Sequence, residues 1–178
     1  MKIVDGWLVG ADICESPNQN DRPVNVSPDL LVVHNISLPP GQFGGGNVEA
    51  FFRNELNAGD HPYFAEICHL KVSAHMLIER SGRMVQFVSF DKRAWHAGIS
   101  AYQGREACND FSVGIELEGC DDVPYTLMQY QMLSEVHKAL QVYYPNLSAQ
   151  AITGHSDIAP GRKTDPGPAF NWQYFKGL

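Results

Sequence analysis

The sequence predicts a single α/β domain over residues 1–178, with a central mixed β-sheet flanked by helices. Three observations support this fold class. Residues 29–37 (DLLVVHNIS) are mostly apolar and precede a Gly/Pro-rich break, which is typical of a buried central strand. Residues 110–119 alternate between apolar and polar positions, as a strand does, and residues 126–145 carry apolar positions at helical spacing.

The other segments predict shorter elements. Residues 47–57 begin with a candidate N-cap, Asn47, and place apolar residues near one face, which predicts a helix. Residues 75–90 hold two strand-like runs around the turn residues 81–83 and predict a β-hairpin. The aromatic segment 169–178 predicts a short C-terminal helix.

The long helix has the clearest signals. Thr126 and Gln129 have the spacing of a capping box, and Pro145 prevents the helix from continuing. Its apolar positions recur at three- and four-residue steps: Leu127, Tyr130, Leu133, Val136 and Leu140. We therefore expect this helix to pack one face against the sheet.

Charge and composition exclude several classes of partner. A net charge of -7 argues against nucleic acid or an anionic membrane as the main partner. No window is apolar and long enough for a membrane span, and Asp5 and Asp12 interrupt the N-terminal segment where an export signal would lie. We expect a monomer that acts on a small molecule.

Cysteine spacing favours a reducing compartment. The four cysteines contain no C-x-x-C pair and no dense framework: Cys14, Cys68, Cys108 and Cys120. Together with the missing export signal, this predicts reduced thiols in the cytoplasm.

The segment 154–167 (GHSDIAPGRKTDPG) has neither a helical nor a strand period, yet it concentrates reactive side chains. Such a segment is most often a solvated loop. A catalytic zinc takes three protein ligands and leaves one position to water. His34, at the end of the apolar run, is the first candidate ligand, although a lone histidine is more often structural. His155 supplies a second imidazole.

Spacing alone does not decide the third ligand. Asp157 could chelate together with His155 from one turn, but a turn or cap role is the better interpretation of this residue. Asp165 precedes Pro166, which biases its backbone toward an extended conformation and orients its carboxylate.

A hydrolytic metal site also needs a proton carrier and a stabilising cation. Strand alternation places Glu116 and Glu118 on the face opposite the apolar residues, although both positions could simply face solvent. Gly114 on the same face is expected to leave room for a ligand. Lys163 could stabilise the oxyanion of a tetrahedral intermediate, and its alternative is an ordinary surface lysine.

Several motifs carry a family resemblance that spans residues 6 to 175. They are LLVVHNISLPPGQFGG, HPYF, VSAH, FDKRAWHAG, GREACNDFSVGIELEG and GHSDIAPGRKTDPGPAF. The sequence resembles the zinc amidases with the peptidoglycan-recognition fold, and among them the cytoplasmic 1,6-anhydro-N-acetylmuramoyl-L-alanine amidases. The combination of VVHNISLPPG and RKTDPG is highly specific, whereas either motif alone is moderate evidence.

The resemblance implies roles that the spacing left open. It places zinc on His34, His155 and Asp165, the catalytic carboxylate on Glu116, and oxyanion stabilisation on Lys163. It implies hydrolysis of the amide between the lactyl group of 1,6-anhydro-N-acetylmuramic acid and L-alanine of muropeptides, in cytoplasmic peptidoglycan recycling. It leaves the other aspartate and glutamate candidates structural.

Substrate contacts follow less directly. Asn35 could hydrogen-bond a substrate amide, and Trp95 offers a flat apolar face for a sugar, or else belongs to the core. Lys71 and Arg105 are candidate cations for a peptide carboxylate. Some relatives carry arginine at the positions of Lys71 and Ala107, so this departure affects recognition of the peptide end rather than hydrolysis.

The remaining histidines and the Gly-rich segment are given no chemical role. Two alternative functions of the whole protein also remain. His75 and His96 are left outside the chemistry. The Gly-rich segment 39–46 and the helix predicted after it could act as a movable lid. The first alternative is an exported amidase that acts on intact peptidoglycan. The second is a non-catalytic peptidoglycan-binding module, which would be expected to lack one of the metal ligands.

Overall fold

A six-stranded mixed sheet forms the centre of the structure, a computed structural model that describes residues 1–178. The strands are β1 (Ile3–Val4), β2 (Trp7–Leu8), β3 (Asp12–Ile13), β4 (Gln19–Asp21), β5 (Leu30–Ile36), β6 (Met76–Ile78), β7 (Met84–Gln86), β8 (Lys92–Ala94), β9 (Ala101–Tyr102), β10 (Arg105–Glu106), β11 (Ser112–Glu118) and β12 (Ile152–Gly154). The helices are α1 (Asn47–Phe52), α2 (Pro62–Ile67), α3 (Leu127–Tyr143), α4 (His155–Ile158) and α5 (Trp172–Phe175), with a 3-10 turn at Cys108–Asp110.

The main sheet has the strand order β12-β5-β11-β6-β7-β3. The first four strands are parallel to one another, β6 and β7 form the antiparallel hairpin, and β3 pairs in parallel with β7. The register places His34 of β5 opposite Glu116 of β11. The predicted mixed sheet, central strand and hairpin are confirmed.

The two longest strands are buried on both faces, which explains their apolar composition. All seven residues of β11 are buried, as are the first five of β5. Val113, Ile115 and Leu117 enter the core that α3 covers, and the alternate residues of β11 point to the opposite face. Residues 116 and 118 are therefore not solvent-facing positions.

Helix α3 is closed at its start by the predicted capping box. The Thr126 hydroxyl accepts a hydrogen bond from the Gln129 N–H, and the Gln129 side chain accepts one from the Thr126 N–H. Four of the five predicted apolar positions are buried, but Leu127 is 69 % exposed, since the first turn buries Gln129 and Tyr130 instead. The helix ends two residues before Pro145, as expected.

The other face of the sheet is covered by α1 and α2. Val48, Phe51 and Phe52 of α1 pack there against Leu77 of β6 and its neighbours. The predicted helix over 47–57 is shorter than expected, and its N-cap is Gly46 rather than Asn47. Asn54 adopts a left-handed backbone conformation, which ends the helix.

The segment predicted as an irregular loop at 154–167 opens with the short helix α4, and α2 was not predicted at all. Both helices are too short to display a periodic pattern. No helix in the fold combines the length and the hydrophobicity that a bilayer-spanning segment requires.

Candidate metal centre

Three side chains that are distant in the sequence converge at one edge of the sheet. Strand β12 pairs with β5, so His155, which follows β12, lies beside His34. The Nδ1 atoms of these two rings are 3.0 Å apart, across 121 positions of the chain. Asp165 Oδ2 lies 3.0 Å from each of them. The three donor atoms therefore form a nearly equilateral triangle.

The hydrogen bonds around His155 show which form of the ring faces this triangle. His155 Nε2 lies 3.2 Å from the backbone carbonyl oxygen of Ala97. A carbonyl only accepts, so Nε2 carries a proton, and in the neutral form of the ring Nδ1 presents a lone pair to Asp165 Oδ2. Burial lowers the pKa of His34 to about 4, so the His34 ring is neutral at pH 7. The lone pairs of these ring nitrogens and of the carboxylate oxygen point at one another and repel, so a cation bound between them is favoured.

The donor set fits a metal ion. Ligand bonds of about 2.0–2.1 Å in a tetrahedral site separate the ligand atoms by about 3.3 Å. The observed separations of 3.0 Å are close to that value. Two imidazoles and one carboxylate can therefore hold a metal ion, and three protein ligands leave a coordination position open.

Asp165 is held by the packing of the loop that carries it. The Ser156 N–H donates to the Asp165 carbonyl oxygen at 2.9 Å, which ties the loop to α4. The Tyr125 hydroxyl donates to the Pro166 carbonyl oxygen at 2.7 Å. Gly154 has no side chain here because a Cβ would lie 2.8 Å from Cδ of Pro166. The carboxylate of Asp165 is thus fixed from both sides.

Asp157 has a local hydrogen-bonding role instead. Its Oδ2 accepts hydrogen bonds from the Thr153 hydroxyl at 2.8 Å and from the Gly154 N–H at 3.0 Å. These bonds satisfy polar groups at the start of α4. The structure does not bring Asp157 into the triangle, in agreement with the capping interpretation.

The two glutamates of β11 have different surroundings. Glu118 accepts hydrogen bonds from the N–H groups of Gly44 and Arg80, so its carboxylate anchors the Gly-rich segment. Glu116 is only 8 % exposed, and its Oε2 has no hydrogen-bond partner. Burial raises the pKa of Glu116 well above its usual range, the charge of Asp165 adds to this effect, and Lys163 opposes it.

These side chains line a cleft of about 870 Å³. The cleft is bounded by residues from β5, α1, α2, β11 and the loop that carries Asp165. Lys163 and Tyr63 are among its lining residues, and Glu116 and the triangle lie within it. A buried carboxyl with a raised pKa beside a candidate metal site is typical of a hydrolase that moves protons.

Residues 24–168 match the family profile described as N-acetylmuramoyl-L-alanine amidase. The chain belongs to this amidase family. It is 60 % identical over 178 residues to the 1,6-anhydro-N-acetylmuramyl-L-alanine amidase AmpD of Escherichia coli K12, covering 100 % of this chain and 97 % of that relative. The crystal structure of a Se-Met AmpD derivative superposes with a TM-score of 0.97, at 57 % identity and with 99 % and 98 % of the two chains covered. These findings confirm the resemblance identified from the motifs.

A solved structure with a ligand is also similar. AmpDH3 from Pseudomonas aeruginosa, crystallised in complex with anhydromuramic pentapeptide, superposes with a TM-score of 0.64 at 29 % identity. The match covers 85 % of this chain and 60 % of AmpDH3.

Two of the predicted substrate contacts line the cleft of this amidase. Asn35 donates from Nδ2 to Asp121 Oδ1 at 2.8 Å, which leaves its amide oxygen available. Trp95 is half-buried and donates from Nε1 to Asn20 Oδ1 at 2.6 Å, so its ring is held at the cleft wall and does not belong to the core.

The other two predicted contacts are placed less favourably. Lys71 is exposed, between the cleft-lining residues Leu70 and Val72. Arg105 does not reach the cleft. It pairs with Asp29 at 2.7 Å and stacks on the ring of Phe111 on a different surface, so the structure does not bring this candidate into the cleft.

The structure also changes the interpretation of Gly114 and His96 in the amidase. A Cβ at Gly114 would lie 2.5 Å from Nδ1 of His96, so the space beside this glycine holds an imidazole and is not a ligand pocket. His96, set aside as structural on sequence grounds, lies with its Nδ1 2.9 Å from Nε2 of His34. An isolated histidine carries no local signal that predicts this contact.

Proposed function

We propose that this amidase uses zinc to hydrolyse the amide between the lactyl group of 1,6-anhydro-N-acetylmuramic acid and L-alanine of muropeptides, in cytoplasmic peptidoglycan recycling. The main support for this proposal is the triangle formed by His34, His155 and Asp165, which lies beside the buried, unpartnered Glu116. The identity of 60 % to AmpD of Escherichia coli over the full length supports the substrate. The muropeptide bound by AmpDH3 supports a small-molecule ligand of the same class.

His34, His155 and Asp165 would hold the zinc ion. A zinc ion bound there supplies Lewis-acid polarisation of the scissile carbonyl and lowers the pKa of a water molecule to about 7. Imidazoles bind a metal ion in their neutral form and the carboxylate adds one negative charge, so this ligand set would leave the centre electrophilic.

Glu116 is proposed to carry the proton. Its carboxylate takes a proton from the attacking water and delivers it to the nitrogen of L-alanine as the amide bond breaks. Burial raises the pKa of this carboxyl, which makes it a stronger base than an exposed glutamate. No hydrogen bond in the protein occupies its Oε2, which is buried in the cleft wall.

Lys163 is proposed to stabilise the negative charge that develops on the carbonyl oxygen. It lines the cleft two positions before Asp165, and its charge lowers the pKa of both Glu116 and His34. Asn35 and Trp95 are proposed to contact the substrate amide and the sugar.

The size of the cleft suits a muropeptide. Small-molecule sites have volumes of about 300–1,000 Å³. A cleft of about 870 Å³ lies in the upper part of that range, as expected for a sugar with an attached peptide. We propose that the protein acts as a monomer, because all the residues of this site come from one chain.

The decisive assay compares soluble anhydromuramyl-peptide with intact peptidoglycan sacculi as substrates for the purified zinc-loaded protein. We expect release of peptide from the soluble fragment at a much higher kcat/KM. Preference for sacculi would overturn the recycling role and would favour the alternative of an exported amidase.

Two variants test the assigned residues in the same assay. Glu116→Gln should retain about one zinc per chain and lose about 10²–10⁴-fold in kcat. His155→Ala should lose zinc, as measured by elemental analysis after dialysis. Arg105→Ala is the control, because Arg105 lies outside the cleft and should leave both quantities unchanged. Full zinc occupancy in His155→Ala would refute the ligand set.

A further inference from the structure

A row of polar side chains runs from His34 through His96, which also lines the cleft, to Ser112 inside the protein. His34 Nε2 lies 2.9 Å from His96 Nδ1, and His96 Nε2 lies 3.2 Å from the Ser112 hydroxyl oxygen. The Ser112 hydroxyl donates to the backbone carbonyl oxygen of Cys108 at 2.6 Å. Ser112 and Cys108 are fully buried, so water does not compete for these bonds.

The position of each hydrogen in this row follows from whether the next group can donate or only accept. The Cys108 carbonyl only accepts, so the single hydroxyl hydrogen of Ser112 points toward it. The Ser112 oxygen can then only accept from His96, which places the proton of His96 on Nε2. His96 Nδ1 is consequently a lone pair that accepts the proton on His34 Nε2. Nδ1 of His34 is left as a lone pair within the triangle of donor atoms.

The same segment orients the second imidazole. The Ala97 carbonyl oxygen accepts from His155 Nε2 at 3.2 Å. The backbone N–H groups of His96 and Ala97 both donate to Oδ1 of Asn109, at 3.1 Å and 2.8 Å. One dipeptide, whose N–H groups are held by Asn109 and whose Ala97 carbonyl also accepts from Arg162, therefore contacts both imidazoles of the triangle.

We propose that His96 is a positioning residue of the metal centre: it holds His34 as the Nε2–H tautomer, with Nδ1 directed at the ion. Partners that accept from the distal nitrogen of a metal-binding histidine fix its tautomer and the orientation of its ring, and losing them costs about 10–100-fold in metal affinity. This proposal rests on the ligand set of the proposed function. It adds a residue that is not one of the proposed metal ligands and that acts through His34.

Direct measurement of zinc affinity and tautomer tests the proposal. The zinc dissociation constant is measured by chelator competition for the native protein, His96→Leu and His96→Gln. His96→Leu should bind zinc about 10–100-fold more weakly. His96→Gln should recover most of the affinity, because its amide oxygen can accept from His34 and its amide nitrogen can donate to Ser112. His137→Leu is the control, because it removes a buried imidazole on α3 that packs against Phe175.

The tautomer is read from long-range ¹H–¹⁵N spectra of the imidazoles in metal-free protein. We expect His34 of the native protein to be protonated at Nε2 alone, and to become a mixture of tautomers in His96→Leu. If His96→Leu does not fold, Ser112→Ala decides instead, because it keeps both rings and removes only the acceptor behind His96. Ser112→Ala should then show mixed tautomers at His34.

The outcomes separate this proposal from the proposed function. A native protein that binds no zinc would refute the ligand set itself. Stoichiometric zinc in the native protein with unchanged affinity in a folded His96→Leu variant would refute only the role of His96. An unchanged His34 tautomer in Ser112→Ala would also overturn that role.

Discussion

Gly114→Ala tests how tightly the structure confines His96. Gly114 lies on β11 and faces the imidazole directly. A Cβ at this position would lie 2.5 Å from Nδ1 and 2.7 Å from Cδ2 of His96. The nearest ring atom, Cγ, would lie at 2.4 Å and an ordinary contact begins at 3.4 Å, so the ring or the strand must move by about 1.0 Å.

Either movement lowers the stability of the folded protein. The ring is held between His34 at 2.9 Å and Ser112 at 3.2 Å, so a shift of that size breaks at least one of the two hydrogen bonds. Moving β11 instead disturbs its pairing with β5 and β6. Overpacking of this kind costs about 1–3 kcal/mol. The lower conformational entropy of alanine in the unfolded chain offsets about 0.5–1 kcal/mol. From the middle of each range, we expect a net loss of about 1 kcal/mol in the free energy of unfolding.

Urea denaturation of the metal-free proteins measures this loss. Gly59→Ala is the control, because a Cβ at Gly59 would meet no atom closer than 3.4 Å and its backbone is not left-handed. The midpoint of Gly114→Ala should fall while that of Gly59→Ala stays near the native value. Zinc affinity should fall in Gly114→Ala as well. Native stability together with native zinc affinity would show that the His96 ring is not confined as described.

Two further predictions concern the helix cap and the buried carboxyl. Thr126→Ala removes the hydroxyl that accepts from the Gln129 N–H at 3.2 Å and donates to the Arg80 carbonyl oxygen at 2.8 Å. Urea denaturation should show a loss of about 1 kcal/mol in the free energy of unfolding for this variant. Thr126→Ser keeps the hydroxyl and should lose little stability. Glu116→Gln should make the metal-free protein more stable than the native one at pH 8, because burial raises the pKa of Glu116 above its usual 4.5 and ionising it in the folded state is unfavourable. The folded form binds the proton more tightly, so this group destabilises the native protein progressively as the pH rises above 4.5, and the difference between the two proteins should shrink toward pH 4.5. A difference in urea midpoint that does not change between these two pH values would contradict this explanation.

Local pattern was sufficient for the longer elements of the fold. The alternation at 110–119 identified β11, and the spacing of Thr126, Gln129 and Pro145 identified α3 with its cap. Period and capping are properties of neighbouring residues, so they can be read without knowing the rest of the chain. The short helices α2 and α4 carry fewer than two turns and display no period, and the end of α1 depends on one left-handed residue.

For the candidate site as well, some features follow from the sequence and others depend on the folded structure. The sequence by itself determined which chemical groups are available: imidazole at His34 and His155, carboxylate at Asp165 and Glu116, and the motifs that mark the amidase family. Their meeting point depends on β12 pairing beside β5, a contact between segments about 120 positions apart that no local pattern encodes.

Only the tertiary structure decided the surroundings of those groups. It separated Glu116, unpartnered in the cleft, from Glu118, which binds backbone N–H groups, although both share one strand face. It removed Arg105 from the cleft and placed His96 against His34. The physical reason is that burial and hydrogen bonding depend on atoms contributed by distant segments, whereas residue type and spacing are carried by the chain alone.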